Sequence, residues 1–174
     1  ITKMLHAMSA SDIVGLRGPY GTAYPINEWK GREIFIVGGG VGLAPLRALL
    51  YALFNNTNDY KKIILKYGSR TSKDIVYKNE IESWRNKGSN IDIEVTVDVG
   101  DESWQGNVGI VTMIVKNPGL DMNNAVSIVC GPPIMMKFVT FKLLDLGFKP
   151  NNIYLSMEKN MSCGIGKCGH CRIG

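Results

Sequence analysis

Short apolar runs alternate along this chain with longer stretches in which apolar residues recur every three to four positions. The runs fall at Glu33–Gly38, Lys62–Gly68, Ile91–Val97, Ala125–Cys130 and Asn152–Ser156, and they predict five strands. Runs such as Ile34-Phe35-Ile36-Val37 are apolar without interruption, which suits a parallel sheet covered on both faces. The intervening patterns predict helices over Ala44–Phe54, Asp74–Lys87, Ile110–Lys116 and Pro132–Leu146. In the second, Tyr77, Ile81 and Trp84 share a face and Gly88 follows as a stop. Strand and helix in strict alternation predict an α/β fold, a doubly wound parallel five-stranded sheet.

Residues 1–30 stand outside that rhythm. They hold Asp12-Ile13-Val14-Gly15-Leu16, a candidate strand, then the turn-rich stretch from Arg17 to Pro25, and read as the end of a preceding domain. The expected division is residues 1–30 as the remnant of that domain, 31–156 as a nucleotide-binding domain, and 157–174 as a separate cysteine-rich segment. Both ends read as cut, since the first residue is Ile1 and the last, Gly174, follows closely on a cysteine cluster.

Composition narrows the function classes. A chain of 174 residues, 45% hydrophobic and 20% charged, forms a folded domain and excludes disorder. The 20 glycines exceed the average usage of about 7% without any fixed period, so they belong to turns and ligand loops. No apolar run approaches the roughly 18 residues of a membrane span, and no secretory leader is legible. A cytoplasmic setting is expected. The net charge of +5 comes from dispersed basic residues, which argues against nucleic acid and leaves a phosphate-bearing cofactor or an acidic partner.

The first strand runs into Gly38-Gly39-Gly40-Val41-Gly42-Leu43-Ala44-Pro45 just before a helix. Glycines there let the backbone turn sharply and approach a diphosphate, and the helix start offers free N–H groups. The pattern departs from G-x-G-x-x-G. With Gly40 and Gly42 as its first two glycines, Pro45 stands where the third would be, and proline suits a first helical turn. A tight turn without any ligand is the plain alternative.

After the second strand come Ser69 and Arg70, where a dinucleotide site reads the adenosine ribose. Arginine there suits a 2′-phosphate or a stacked adenine, although Ser69 and Arg70 also fit a simple helix cap. Asp59 sits in a polar turn and reads as solvated. The fourth strand ends in Cys130-Gly131-Pro132-Pro133, also at a carboxyl edge of the sheet. Cys130 is then either a small core residue or part of the site, with Pro132 and Met135 beside it.

Cys163, Cys168 and Cys171 are spaced C-x4-C-x2-C with glycines between them, the plant-type [2Fe–2S] arrangement without its distant fourth cysteine. Zinc is the competing occupant. His170 would complete a Cys3His set, but it lies between two of the ligands, and the x4 interval is unusual for zinc. The fourth iron ligand is expected beyond Gly174; Cys130 is the alternative within the chain.

Gly38–Pro45, Cys130–Pro133 and the tail S-M-E-K-N-M-S-C-G-I-G-K-C-G-H-C together resemble the ferredoxin–NADP reductase superfamily. Within it they are most similar to electron-transfer subunits that append a [2Fe–2S] site to the nucleotide domain. These are the gamma subunits of cytosolic hydrogenases (sulfhydrogenases) and the B subunits of anaerobic sulfite reductases, with the electron-transfer subunits of dihydroorotate dehydrogenase more distant. The resemblance implies an FAD-binding β-barrel before the nucleotide domain, with Thr2 near the flavin diphosphate. The main flavin motif of that family, R-x-Y-S/T, is absent from this sequence.

The resemblance implies an oxidoreductase subunit that moves electrons among NAD(P)H, FAD and a [2Fe–2S] cluster, toward a catalytic partner in a hetero-oligomer. Gly39, Gly40, Val41, Gly42 and Pro45 would meet the diphosphate, Ser69 and Arg70 the ribose, and Cys130 and Gly131 the nicotinamide. A nucleotide-binding subunit without turnover and with a zinc-stabilised tail is the reading from another class.

Overall fold

The computed structural model describes residues 2–117, 119–157, 162–163 and 165–170, and the chain divides into two compact units. Residues 24–158 form the larger and residues 1–23 with 159–174 the smaller. The larger unit thus begins before the expected boundary at residue 31. The reason is Trp29, which is buried in the core with Tyr24 and Tyr154 packed on its ring at centroid distances of 5.9 and 5.1 Å.

The larger unit is an α/β sandwich on a parallel sheet. Its strands are β1 (Glu33–Gly39), β2 (Lys62–Thr71), β3 (Ile91–Val99), β4 (Asn107–Val108), β5 (Val126–Cys130) and β6 (Ile153–Leu155), in the order β4-β3-β2-β1-β5-β6. Every pairing is parallel. The sheet has six strands, not the expected five, because two-residue β4 pairs through Thr96 and Val97 at the edge. Chain order reverses at β1, which has β2 on one side and β5 on the other. In doubly wound sheets that switch point, at the carboxyl ends, is where ligands bind.

Burial of β1 on both faces explains its unbroken apolar run. Ile34 and Ile36 face one core with the helix α2 (Leu43–Phe54), while Phe35 and Val37 face a second core with α4 (Pro133–Asp145). Helix α2 contributes Leu43, Leu46, Leu50 and Leu53, spaced three to four apart, so one stripe meets the sheet. Lys66, the charged residue most deeply placed in β2, is offset by Glu94 at 2.6 Å and Asp92 at 3.6 Å on the neighbouring strand.

Three expected elements are corrected. The helix expected over Asp74–Lys87 is α3, Lys78–Arg85, because Tyr77 has φ +55° and blocks helical continuity on its N-terminal side. The helix expected over Ile110–Lys116 is one 3-10 turn, Val111–Met113. Asp12–Leu16 is not a strand, and the smaller unit instead carries a short helix, α1 (Thr2–His6). Among the described residues no helix is long and apolar enough to cross a membrane.

Candidate functional site

Two cavities open at the switch point. One, of about 650 Å³, is lined by Gly39, Gly40, Gly68, Ser69, Arg70, Pro132 and Met135, with Asp98, Ile110, Ile134 and Phe138. The other, of about 660 Å³, is lined by Val41, Gly42, Pro45, Cys130, Gly131 and Pro132, with Lys137, Phe141, Leu155, Ser156 and Met157. The candidates drawn from the glycine turn, the Ser69-Arg70 pair and the Cys130 corner thus converge on one sheet edge, and Pro132 lines both cavities.

The glycines have distinct tasks. Gly40 has φ +53° and faces open space, with nothing within 4 Å of where a Cβ would stand. Its backbone is therefore exposed to a ligand in a conformation that glycine adopts freely. Gly42 is the reverse. A Cβ there would lie 2.6 Å from the Cys130 carbonyl oxygen and 2.8 Å from the Gly131 Cα. Gly42 brings the β1–α2 turn against the β5–α4 corner. The first turn of α2 carries no acidic side chain to repel an anion from its positive dipole end, although the Leu43 N–H is already bonded to the Gly40 and Val41 carbonyls.

A side chain that the motifs did not reveal fixes this turn. The Tyr67 hydroxyl donates to the Gly40 carbonyl at 3.1 Å and accepts from the Val76 N–H at 3.3 Å. Burial pushes its pKa above the ordinary tyrosine value, against the lowering effect of the Val76 N–H. The folded state therefore holds the proton more tightly than the unfolded chain. This contribution to stability is complete below pH 10, the ordinary value, and is lost as pH rises beyond it. Tyr67→Phe is expected to cost about 1 kcal/mol, since both partners lose a bond, and to weaken any ligand seated on Gly40. Denaturant unfolding and a ligand titration check the two effects separately.

At the ribose end the sequence reading changes. Ser69 is buried beside Tyr67, whereas Arg70 is exposed at the rim. Pairing of Ser69 with Val97 and Thr71 with Val99 sets Arg70 across from Asp98, and both line the cavity. The end of β2 itself carries no acid; strand register brings one to Arg70 from β3. Asp59 is elsewhere, half-buried and paired with Lys30 at 2.9 Å.

The loop after β3 is tied to the end of β2 by Asp101, which accepts from Ser72 and Ser103 hydroxyls at 2.5 Å each. Those bonds, that of Ser103 foremost, hold its carboxyl at a pKa of about 2. The tie is complete above the ordinary value of 3.8 and is lost as pH falls through about 2.

The Cys130 corner is apolar. Cys130 is 5% exposed, and Leu155 and Met157 add exposed apolar walls to its cavity, with Lys137 as a cation at the rim. Met135 reaches back from α4 over Gly39 and Gly131.

In the smaller unit Thr2 is exposed in the first turn of α1. Cys163 and Cys168 come together there: the Cys168 N–H donates to the Cys163 Sγ at 3.5 Å. The Cys168 thiol is drawn down to about 7, first by the His170 backbone and then by Cys163. Amide-to-sulfur contacts and a stabilised thiolate fit the needs of an iron–sulfur ligand. Cys171 lies outside the described residues. Among those described, no three metal-ligating side chains gather.

Sulfhydrogenase 2 subunit gamma of Pyrococcus furiosus is 37% identical over all of this chain and 64% of that subunit. The probable dihydroorotate dehydrogenase B (NAD(+)) electron transfer subunit of the same organism is 33% identical over 99% of this chain and 61% of its own length. The chain thus spans under two thirds of these relatives. Among solved structures, the cytochrome b5 reductase domain of Ulva prolifera nitrate reductase superposes with a TM-score of 0.70. It covers 89% of this chain and 63% of that one at 24% identity, a likeness of fold. The likeness to the ferredoxin–NADP reductase superfamily read from the motifs is borne out. A family model described as the oxidoreductase NAD-binding domain matches residues 36–140, more than half of the sequence, and the chain belongs to that family.

Proposed function

We propose that the chain is the nucleotide-binding part of an electron-transfer subunit, in a hetero-oligomeric oxidoreductase whose catalytic partner is a hydrogenase or sulfite reductase. Its work is to carry electrons between NAD(P)H, FAD, a [2Fe–2S] cluster and that partner, in a cytoplasmic setting. The observation that carries this reading is the pair of cavities meeting at Pro132 on the switch point, each of a size to take one half of a dinucleotide.

In this reading the open backbone at Gly40 and the α2 N-terminus hold the diphosphate. Arg70, with Ser69 behind it, meets the adenosine ribose. Cys130 and Gly131 abut the nicotinamide, and the apolar walls at Leu155 and Met157 keep water from it. Cys163, Cys168 and Cys171 would hold the cluster with a fourth ligand beyond Gly174, a donor set that the Cys168–Cys163 contact suits. FAD would be held largely outside these 174 residues, with Thr2 contributing; the R-x-Y-S/T motif is missing here. When bound, these groups supply hydride and single-electron chemistry, and the protein supplies position and electrostatics.

The likeness to the Pyrococcus furiosus dihydroorotate dehydrogenase B subunit supports a second reading, the same relay serving pyrimidine synthesis. Full-length protein prepared anaerobically is expected to be yellow-brown and to bleach on addition of NADH or NADPH. Colourless protein with stoichiometric zinc would contradict the relay and favour a zinc-stabilised nucleotide-binding subunit. The subunit that co-purifies decides between the two partner classes.

A further inference from the structure

The notch between the two cavities is filled by one flexible side chain. Met135 stands in the first turn of α4, and its thioether rests on two glycine backbones at once. A Cβ on Gly39 would lie 2.2 Å from its Sδ, and a Cβ on Gly131 would lie 2.9 Å from its Cε and 3.0 Å from its Sδ. Gly39 lines the Arg70 cavity, Gly131 lines the Cys130 cavity, and the two glycines are themselves in close contact.

A dinucleotide placed as proposed has its adenosine in one cavity and its nicotinamide in the other, so its diphosphate must pass through this notch. The thioether cannot serve as a phosphate ligand, because it has no proton to donate and its sulfur is only a weak acceptor. It covers the backbone of Gly39 and Gly131 on one side of the notch and leaves Gly40 open. Methionine has three rotatable bonds and repacks at little cost, and Pro132 and Ile134 on either side leave it a wide apolar rim to move onto.

From this geometry we infer that Met135 is a gate between the two halves of the site. With its thioether seated over Gly39 and Gly131 the chain accepts an adenine mononucleotide in the Arg70 cavity, and the full dinucleotide binds only when the side chain swings out. The inference rests on the dinucleotide reading and adds to it a residue that sets affinity by its own conformation. A site competent in only a fraction of molecules binds more weakly by that fraction.

The test is a calorimetric titration of the 174-residue chain with AMP and, separately, with NADH, for the parent, Met135→Ala and Met135→Leu. Thermal melts confirm that each variant is folded. A gate closed in most molecules predicts that Met135→Ala binds NADH about three- to tenfold more tightly, while AMP, which loses part of one wall of the Arg70 cavity, binds no more tightly than to the parent. Met135→Leu, which keeps the volume and guards against an unfolded alanine variant, should shift NADH in the same direction by less. Weaker or unchanged NADH binding in the folded variants, or equal shifts for AMP and NADH, would overturn the gate while leaving the dinucleotide site standing. Failure of the parent chain to bind either ligand would instead remove the dinucleotide reading, and the gate with it.

Discussion

Alanine at position 42 is expected to cost about 3 kcal/mol of folding stability, the upper part of the range for overpacking a well-packed region. The added methyl would meet backbone, with the Cys130 carbonyl oxygen at 2.6 Å and the carbonyl carbon at 2.7 Å, and backbone has no rotamer to retreat into. Relief requires the β1–α2 turn to part from the β5–α4 corner, which are the two walls of the proposed site. Alanine at position 40 serves as the control. It meets nothing within 4 Å but must adopt φ +53°, which costs about 1 kcal/mol once the stiffer unfolded chain is credited. Urea unfolding of the two variants separates these effects. Equal stabilities would show that the close approach of the two corners does not depend on Gly42.

The second large effect belongs to the ribose end. Arg70→Ala is expected to weaken NADPH binding about tenfold or more, the worth of a charge-assisted contact to phosphate, and NADH binding by less. Asp98 faces the same cavity from the adjacent strand, where a carboxylate suits a ribose 2′-hydroxyl and repels a 2′-phosphate. Asp98→Asn should therefore improve NADPH binding relative to NADH, by at least about fivefold, the worth of unit charges some 4 Å apart when fully screened by water. Dissociation constants for both dinucleotides in the two variants check the pair. Small equal changes for NADH and NADPH in Arg70→Ala would show that this side chain merely packs at the end of β2.

Much of this site was legible because it is built from backbone, and backbone needs leave marks in sequence. A triple glycine after an unbroken apolar strand announces a turn that something approaches. Cys130-Gly131-Pro132-Pro133 announces another, and parallel topology brings both to one edge. What escaped was what depends on register or on a single polar atom. Asp98 becomes part of the site only through the pairing of β2 with β3. Tyr67 reads as an ordinary core aromatic until its hydroxyl is seen to join Val76 to Gly40. Strand β4 is two residues long, too short for any period to show. The apolar stretch after Gly109 has a helical rhythm, yet it makes a single 3-10 turn, with Val111 packed where a Cβ on Gly68 would stand, 2.7 Å away. Tertiary packing there overrode local propensity.

The most direct test of the dinucleotide site is an NADH titration of the isotope-labelled 174-residue chain followed by amide chemical shifts. Saturable shifts concentrated at residues 38–42, 68–70, 98 and 130–135, at both cavities together, are the predicted result. Shifts confined to residues far from the carboxyl edge of β1 and β5, or no shifts from a folded chain, would contradict the account.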